Sequence, residues 1–386
     1  MSTTRLGAGR VTSGTAVLAA LLAAVVVTGL WHVTQGTSGI GFTDLLRYLL
    51  GAREQVGGVP VTDVLTGSRL PRMLAGIAVG VALGCAGALL QSVTRNALAA
   101  PDTLAVTAGS YFALCAVAAF GLAVPLWASG AVAFAGGLLA AAVVLGLAGS
   151  ASGIGATRLI LAGSAVAMAL DAGTAMLLIL FQENTTGLYA WGSGSLAQLN
   201  LDAATRAAPV IAVVLAGALL LARRLDVLGL GDDTAASLGV PVRATRLAAV
   251  LCAVVLTSLS VTLAGPIAFI GLAAPVAVRL AAGRIGVLGR HIVGIPACGL
   301  AGALLVLLAD ALLRAVMGAQ AAASVPTGVP TSLLGAVVIV ILALRLRDVG
   351  RETPRARVAV RSRRRFLIVL TVAAGLLAAT ALGGLL

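Results

Sequence analysis

The chain contains no lysine; all 26 of its basic residues are arginine. A P-loop needs a lysine on the nucleotide phosphates, so ATP hydrolysis by that motif is excluded. Histidine occurs only as His32 and His291, and no HExxH or paired-histidine spacing exists, so no metal-hydrolase ligand set is present. His32 near a span end and His291 in a basic loop both read as surface groups. The four cysteines, Cys85, Cys115, Cys252 and Cys298, stand singly inside apolar runs, which reads as packing rather than disulfide or metal chemistry. Ser164 lies in AGSAV, not in GxSxG. No catalytic constellation is left, and neither enzyme activity, a cofactor nor a bound metal is expected.

Charge and aromaticity are also scarce, at 10% and 3% of 386 residues, against 60% hydrophobic residues. Mean hydropathy is +1.10. A water-soluble chain of this size has nowhere to hide so much apolar surface, so the solvent is a bilayer. The 48 glycines fit close helix approach in a membrane, where small residues let backbones touch. The net charge of +13 is distributed between apolar runs, so it reports topology rather than nucleic-acid binding.

A membrane helix needs about 20 apolar residues. Candidate spans cover roughly 15–33, 70–91, 103–123, 126–149, 159–181, 207–222, 247–264, 267–282, 292–313 and 331–345. The first lacks a small-residue cleavage site and reads as a retained helix. The span 267–282 is short and flanked or broken by Pro266 and Pro275, so a tilted or partly buried helix is expected there. With the N-terminus in the cytoplasm, only Arg47, Arg53, Arg69, Arg72, Arg206 and Arg314 fall outside; the reverse orientation violates the positive-inside rule. The expected location is therefore the cell (plasma) membrane, multi-pass, with a cytoplasmic N-terminus.

Three features remain after topology is assigned. SRLPR, residues 68–72, places Arg69 and Arg72 outside, where the positive-inside rule does not call for them. Pro71 needs no special account if it lies in a helix's first turn. DDTAASLG, residues 232–239, lies in the longest polar interruption between core spans and fits a short cytoplasmic helix, with Asp232 and Asp233 at its start and Gly239 at its end. A solvated loop is the plainer alternative. Asp171 and Asp310 lie within spans, where acids are functional candidates by default. For Asp310 a structural hydrogen bond to a neighbouring helix is the favoured reading; Asp171 could equally face a pathway.

Four ordered blocks resemble the permease subunits of ABC importers for iron–siderophores, haem and vitamin B12. They are RLPRMLAGIAVGVALGCAGALLQSVTRNALAAPDTLAVTAGS (69–110), LGDDTAASLGVPVRATR (230–246), AGPIAFIGLAAPVAVRL (264–280) and LLADALLR (307–314). Ala97 stands where the family has proline and Val276 where it has histidine, and a further stretch, VPTGVPTSLLGAVV (325–338), carries Pro330 and lacks the family's later proline. The resemblance implies an all-α, type II ABC importer permease fold of ten core transmembrane helices with inverted repeats over residues 1–348. It implies three kinds of protein partner besides membrane lipid: ABC ATPase subunits, an extracytoplasmic substrate-binding protein, and a second permease subunit or fused half. It further implies that Arg69, Arg72 and Arg314 meet acids of the binding protein. Interfacial snorkelling is the alternative for these arginines. Asp232, Asp233, Ala236, Leu238 and Gly239 would couple to the ATPase. Spans five and ten would line the pathway, with Ser164, Asp171 and Thr174 among its few polar groups. The cargo implied is a metal chelate, most plausibly an iron–siderophore. An ion-gradient-driven secondary transporter satisfies the same composition but leaves DDTAASLG and the outer arginines without a role. Residues 349–365 read as a basic cytoplasmic linker, and 366–386 as an extra span resembling the first helix of a fused second permease.

Overall fold

The computed structural model describes residues 3–36, 38, 40–51, 55–56, 58–125, 128–148, 156–198, 200–322 and 325–346. The linker and extra span expected over 349–386 lie outside the described residues.

Helices dominate. In chain order they are α1 (Thr3–Thr34), α2 (Phe42–Leu49), α3 (Val61–Val64), α4 (Leu70–Thr94), α5 (Val106–Ala119), α6 (Ser129–Ala148), α7 (Ala156–Leu180), α8 (Leu188–Trp191), α9 (Asp202–Leu220), α10 (Ala222–Leu228), α11 (Asp232–Ser237), α12 (Val242–Ala264), α13 (Ile270–Ala282), α14 (His291–Met317), α15 (Ala319–Ala322) and α16 (Gly328–Leu346). Among the described residues, the sole strand pairing is a two-residue antiparallel ribbon, Gln55–Val56 with Val59–Pro60. Seven helical stretches are long and apolar enough to cross a bilayer; α5, α13 and the described apolar part of α16 are apolar but shorter. Each apolar run expected between residues 15 and 345 contains a helix among its described residues. Among the described residues, those up to Ile341 form one compact unit, and 342–346 belong to a second.

Several boundaries differ from expectation for local reasons. The second span begins at Val61, not near residue 70. A π-helical turn over Leu65–Arg69 joins α3 to α4. Pro71 therefore follows two helical turns and is not at the start of the span. A proline clashes with the carbonyl four residues earlier and lacks an N–H, and the wider π turn lies where that clash would fall. The third span opens as a 3₁₀ turn, Pro101–Leu104, and becomes α-helical only from Val106. Helix α9 starts at Asp202, ahead of Pro209, which it accommodates in its interior.

The core is built around α4, the most buried span, against α14 and α12. Gly76, Gly80 and Gly84 recur every fourth residue on one face of α4. A side chain at Gly80 would strike the backbone of Ala303 and Gly302, and one at Gly84 the backbone of Cys298. Lipid tails are as apolar as leucine, so burial alone does not drive helices together; close backbone approach supplies the contact instead. The four cysteines are all free thiols, and Cys85, Cys115 and Cys298 are buried; Cys85 and Cys298 lie at the α4–α14 approach beside Gly299 and Gly84. Helix α7 is the least buried of the long spans, with Leu161, Met168, Met176 and Ile179 exposed along it.

Candidate docking, coupling and pathway sites

Asp310 of α14 is fully buried and gathers polar partners from four segments. Arg72 of α4 holds it with two prongs, Nε to Oδ2 at 2.9 Å and Nη2 to Oδ1 at 2.5 Å. Arg314, one turn along α14, donates Nε to Oδ2 at 3.2 Å. His32 Nε2 of α1 lies 2.7 Å from the same oxygen, and the Thr327 hydroxyl donates to Oδ1 at 3.0 Å. The planar guanidinium fork matches a carboxylate edge, which makes the Arg72 pair the strong one. His32 is 2% exposed, so its expected surface position is corrected: α1 packs against α14 and carries the ring inward. The hydrogen bond expected for Asp310 is present, within a network larger than one partner.

Arg69 is also inside, at 5% exposure. Its Nη1 donates to the carbonyls of Val33 and Ile40 at 2.7 and 2.8 Å, and Nη2 to Ser38 Oγ at 2.8 Å. It thereby closes the loop between α1 and α2. Arg69, Arg72 and Arg314 line a cavity of about 370 Å³, together with His32, Ser68 and Gln198. All three arginines expected at the outer mouth thus share one cavity. Each already has partners within the chain.

A second polar cluster sits at the opposite end of α4. Asp232, first residue of α11, accepts Arg95 Nη2 at 2.6 Å and Arg246 Nη2 at 2.9 Å. These groups are partly exposed. Helix α11 is the short helix expected from DDTAASLG. Gly231 before it has φ +118° and ψ +155°, a conformation essentially restricted to glycine. Gly239 after it has φ +79°, and its N–H and that of Val240 bond back to Ala236 and Ala235, a Schellman stop. Ala235 is buried, while Asp233, Ala236, Leu238 and Gly239 face solvent.

His291 lies nearby and is not the free surface group expected. Its ring Nδ1 is 2.6 Å from Asp226 Oδ1, its backbone N–H donates to that oxygen at 3.0 Å, and its Nε2 meets Ser92 Oγ. Asp226, from α10, so caps the first turn of α14. Arg279 donates to Gln91 Oε1 at 2.7 Å in the same region. Reading single residues missed these pairings. Only Asp310 and Arg314 carried a local signal, the i,i+4 spacing on one helix face.

The pathway candidates separate. Asp171 and Thr174 line a cavity of about 740 Å³ with Tyr111, Gln182, Tyr189 and Ser193. Ser164 is exposed on α7 but lies about two turns away, with its hydroxyl on its own Leu161 carbonyl at 3.1 Å.

Seven long apolar helices, packed through glycine and holding a buried acid between arginines, mark an integral membrane protein of the helical class. Residues 20–345 match the FecCD transport family, and the chain belongs to it. It is 36% identical over 327 residues to the ferric enterobactin transport system permease protein FepG of Escherichia coli, covering 84% of this chain and 94% of that one. It is 33% identical over 321 residues to the Fe(3+)-citrate import system permease protein YfmD of Bacillus subtilis, covering 82% and 91%. Among solved structures it is similar to a metal-chelate type ABC transporter in an inward-facing conformation, with TM-score 0.67, 25% identity, and coverage of 86% of this chain and 99% of the other. The chain is therefore a permease component of an ABC importer, carried in the membrane by multiple apolar helices.

Proposed function

We propose that this permease moves an iron(III) chelate inward, in a complex with two ATPase subunits, a second permease subunit and an extracytoplasmic binding protein. The observation that carries the reading is the placement of α11. It projects Ala236 and Leu238 into solvent from the end of the molecule where α4 stops and α12 and α14 begin. That end also presents Arg223, Arg224, Arg243 and Arg290, all exposed, which supports assigning it to the cytoplasm. Leu238, 62% exposed, would fill a groove on the ATPase, and motion there would pass through Asp232 to Arg95 on α4 and Arg246 on α12.

The arginine cavity then faces outward. A glutamate or aspartate from the binding protein would enter it and meet Arg72 and Arg314. Such charge pairing at a rim sets specificity and association rate more than affinity. The internal partners of Arg69 assign it a different part: it shapes the cavity wall by fastening the α1–α2 loop. Relatives named for transport of ferric enterobactin, ferric citrate and iron(3+)-hydroxamate support an iron chelate as cargo and leave its charge open.

Reconstitution in proteoliposomes tests this. ATP-dependent uptake of a ferric chelate should require the ATPase and the binding protein and should survive collapse of the proton gradient. Cysteine at Ala236 should crosslink to the ATPase in the assembled complex. Uptake that persists without ATPase and stops with the gradient would overturn the reading in favour of a secondary transporter.

A further inference from the structure

The cavity against α7 has the opposite charge to the arginine cavity, although the same segment borders both. Ser193 lines the first, and Ala197 and Gln198 line the second. That segment is pinned in place. Ser195 N–H donates to Ala264 O at 2.7 Å, Gln198 Nε2 to Leu263 O at 2.7 Å, and Gly328 N–H to Gly194 O at 3.1 Å. The two cavities therefore keep separate walls and separate fields.

Among the described residues, Asp171 is the one charged side chain lining the α7 cavity; no arginine or histidine lines it. Leu178, Ile179 and Ala175 supply apolar wall beside it, so the field there is screened less than in open water. Gln182, Tyr189 and Ser193 add hydrogen-bonding groups around the rim. Thr174 has already given its proton to the Leu170 carbonyl at 2.8 Å and presents acceptor lone pairs. A volume of about 740 Å³ is of the size that holds a small-molecule ligand.

We propose that this cavity receives the chelate and selects it by charge, favouring iron(III) complexes that are uncharged or bear a protonated amine over anionic ones. The inference rests on the permease reading above and narrows its cargo. An iron(III) tris-hydroxamate is formally neutral, and an amine on its chain makes it a cation that Asp171 would attract. An iron(III) tris-catecholate is a trianion that Asp171 would repel. Discrimination by repulsion is as effective as discrimination by contact.

Trp191 supplies a reporter, since it adjoins cavity residue Gly192 in the chain and stacks near Tyr111 at 5.8 Å. The assembled transporter in lipid nanodiscs would be titrated, without binding protein, with an amine-bearing ferric tris-hydroxamate and with a ferric tris-catecholate. Quenching that disappears in Trp191→Phe belongs to the cavity. The hydroxamate should bind the tighter. Asp171→Asn should weaken it about tenfold, the scale expected for removing a single charge pair, and strengthen the catecholate. Asp171→Glu should keep the wild-type order. Equal affinities in wild type, an unchanged order in Asp171→Asn, or absence of cavity quenching by either chelate would overturn the proposal. ATP-driven uptake by the Asp171→Asn transporter in proteoliposomes separates the two readings: if it persists while the order of chelates is unchanged, charge selection fails and the permease assignment stands.

Discussion

The two ends of α4 carry ion pairs of similar length in unlike surroundings. At one end Arg72 and Arg314 close on an Asp310 that is fully buried. At the other, Arg95 and Arg246 close on an Asp232 that is 39% exposed. Distances alone would rank these pairs together. Burial separates them, because a buried charge that loses its partner has no water to turn to. The Asp310 cluster is a fixed joint between α1, α4, α14 and the residue before α16. The Asp232 pairs are a looser joint, partly open to water.

The largest expected effect follows directly. Asp310→Ala should cost about 3–5 kcal/mol, since it leaves two largely buried guanidinium groups without their carboxylate. Thermal unfolding in detergent would show it as a large fall in midpoint. Replacing Asp310, Arg72 and Arg314 together by apolar residues of similar size should recover most of that loss while abolishing binding-protein-dependent uptake. If the triple variant unfolds as readily as Asp310→Ala, stranded charge is not the cause.

This asymmetry is only partly legible in the sequence. The spans are, because apolar runs of about 20 residues need no tertiary information. Helix α11 is, because the paired aspartates and Gly239 punctuate it locally, although the sequence leaves a solvated loop open. The Asp310 cluster is not. Its members come from residues 32, 72, 310, 314 and 327, and only the 310–314 pair is close in the chain. His32 reads as a surface group because its own flank is a span end; what sits across from it, α14, is invisible at that range. Pro71 reads as a helix start for a similar reason, since the π turn ahead of it has no clear composition signal. The inference that Arg69 faces a partner comes from its position alone, and its hydrogen bonds to Val33 and Ile40 are set by how the α1–α2 loop folds back.

A middle case lies beside the loose joint. Asp226 caps the first turn of α14 through the His291 N–H and also holds the His291 ring. Loss of a helix cap costs about 1–2 kcal/mol. Asp226→Ala should therefore destabilise the fold by less than Asp310→Ala and more than any change at Asp232, in the same unfolding assay. An effect as large as that at Asp310 would mean the two ends of α4 differ less than their burial suggests.

At Asp232 itself stability and function should part company. Partly exposed pairs contribute roughly 0.2–1 kcal/mol, so Asp232→Ala should leave unfolding nearly unchanged. Its effect should emerge instead as ATP hydrolysis by the complex that no longer drives uptake, because α11 has lost its ties to Arg95 and Arg246. Intact coupling in that variant would remove Asp232 from the transmission route.

The smallest effect is the most discriminating between burial and geometry. Raising salt from about 0.1 M to about 1 M shortens the screening length from about 10 Å to about 3 Å. Double-mutant cycles for Arg246 with Asp232 should give a coupling of a few tenths of a kcal/mol that vanishes across this range. Cycles for Arg72 with Asp310 should keep theirs, since mobile ions have no access to a carboxylate with no exposed surface. The Arg72 pair is 2.5 Å apart and the Arg246 pair 2.9 Å, so distance alone would make both respond in proportion. A coupling at Asp310 that also falls with salt would show that water and ions reach the arginine cavity. The joint would then be open to an incoming acid even before the binding protein arrives.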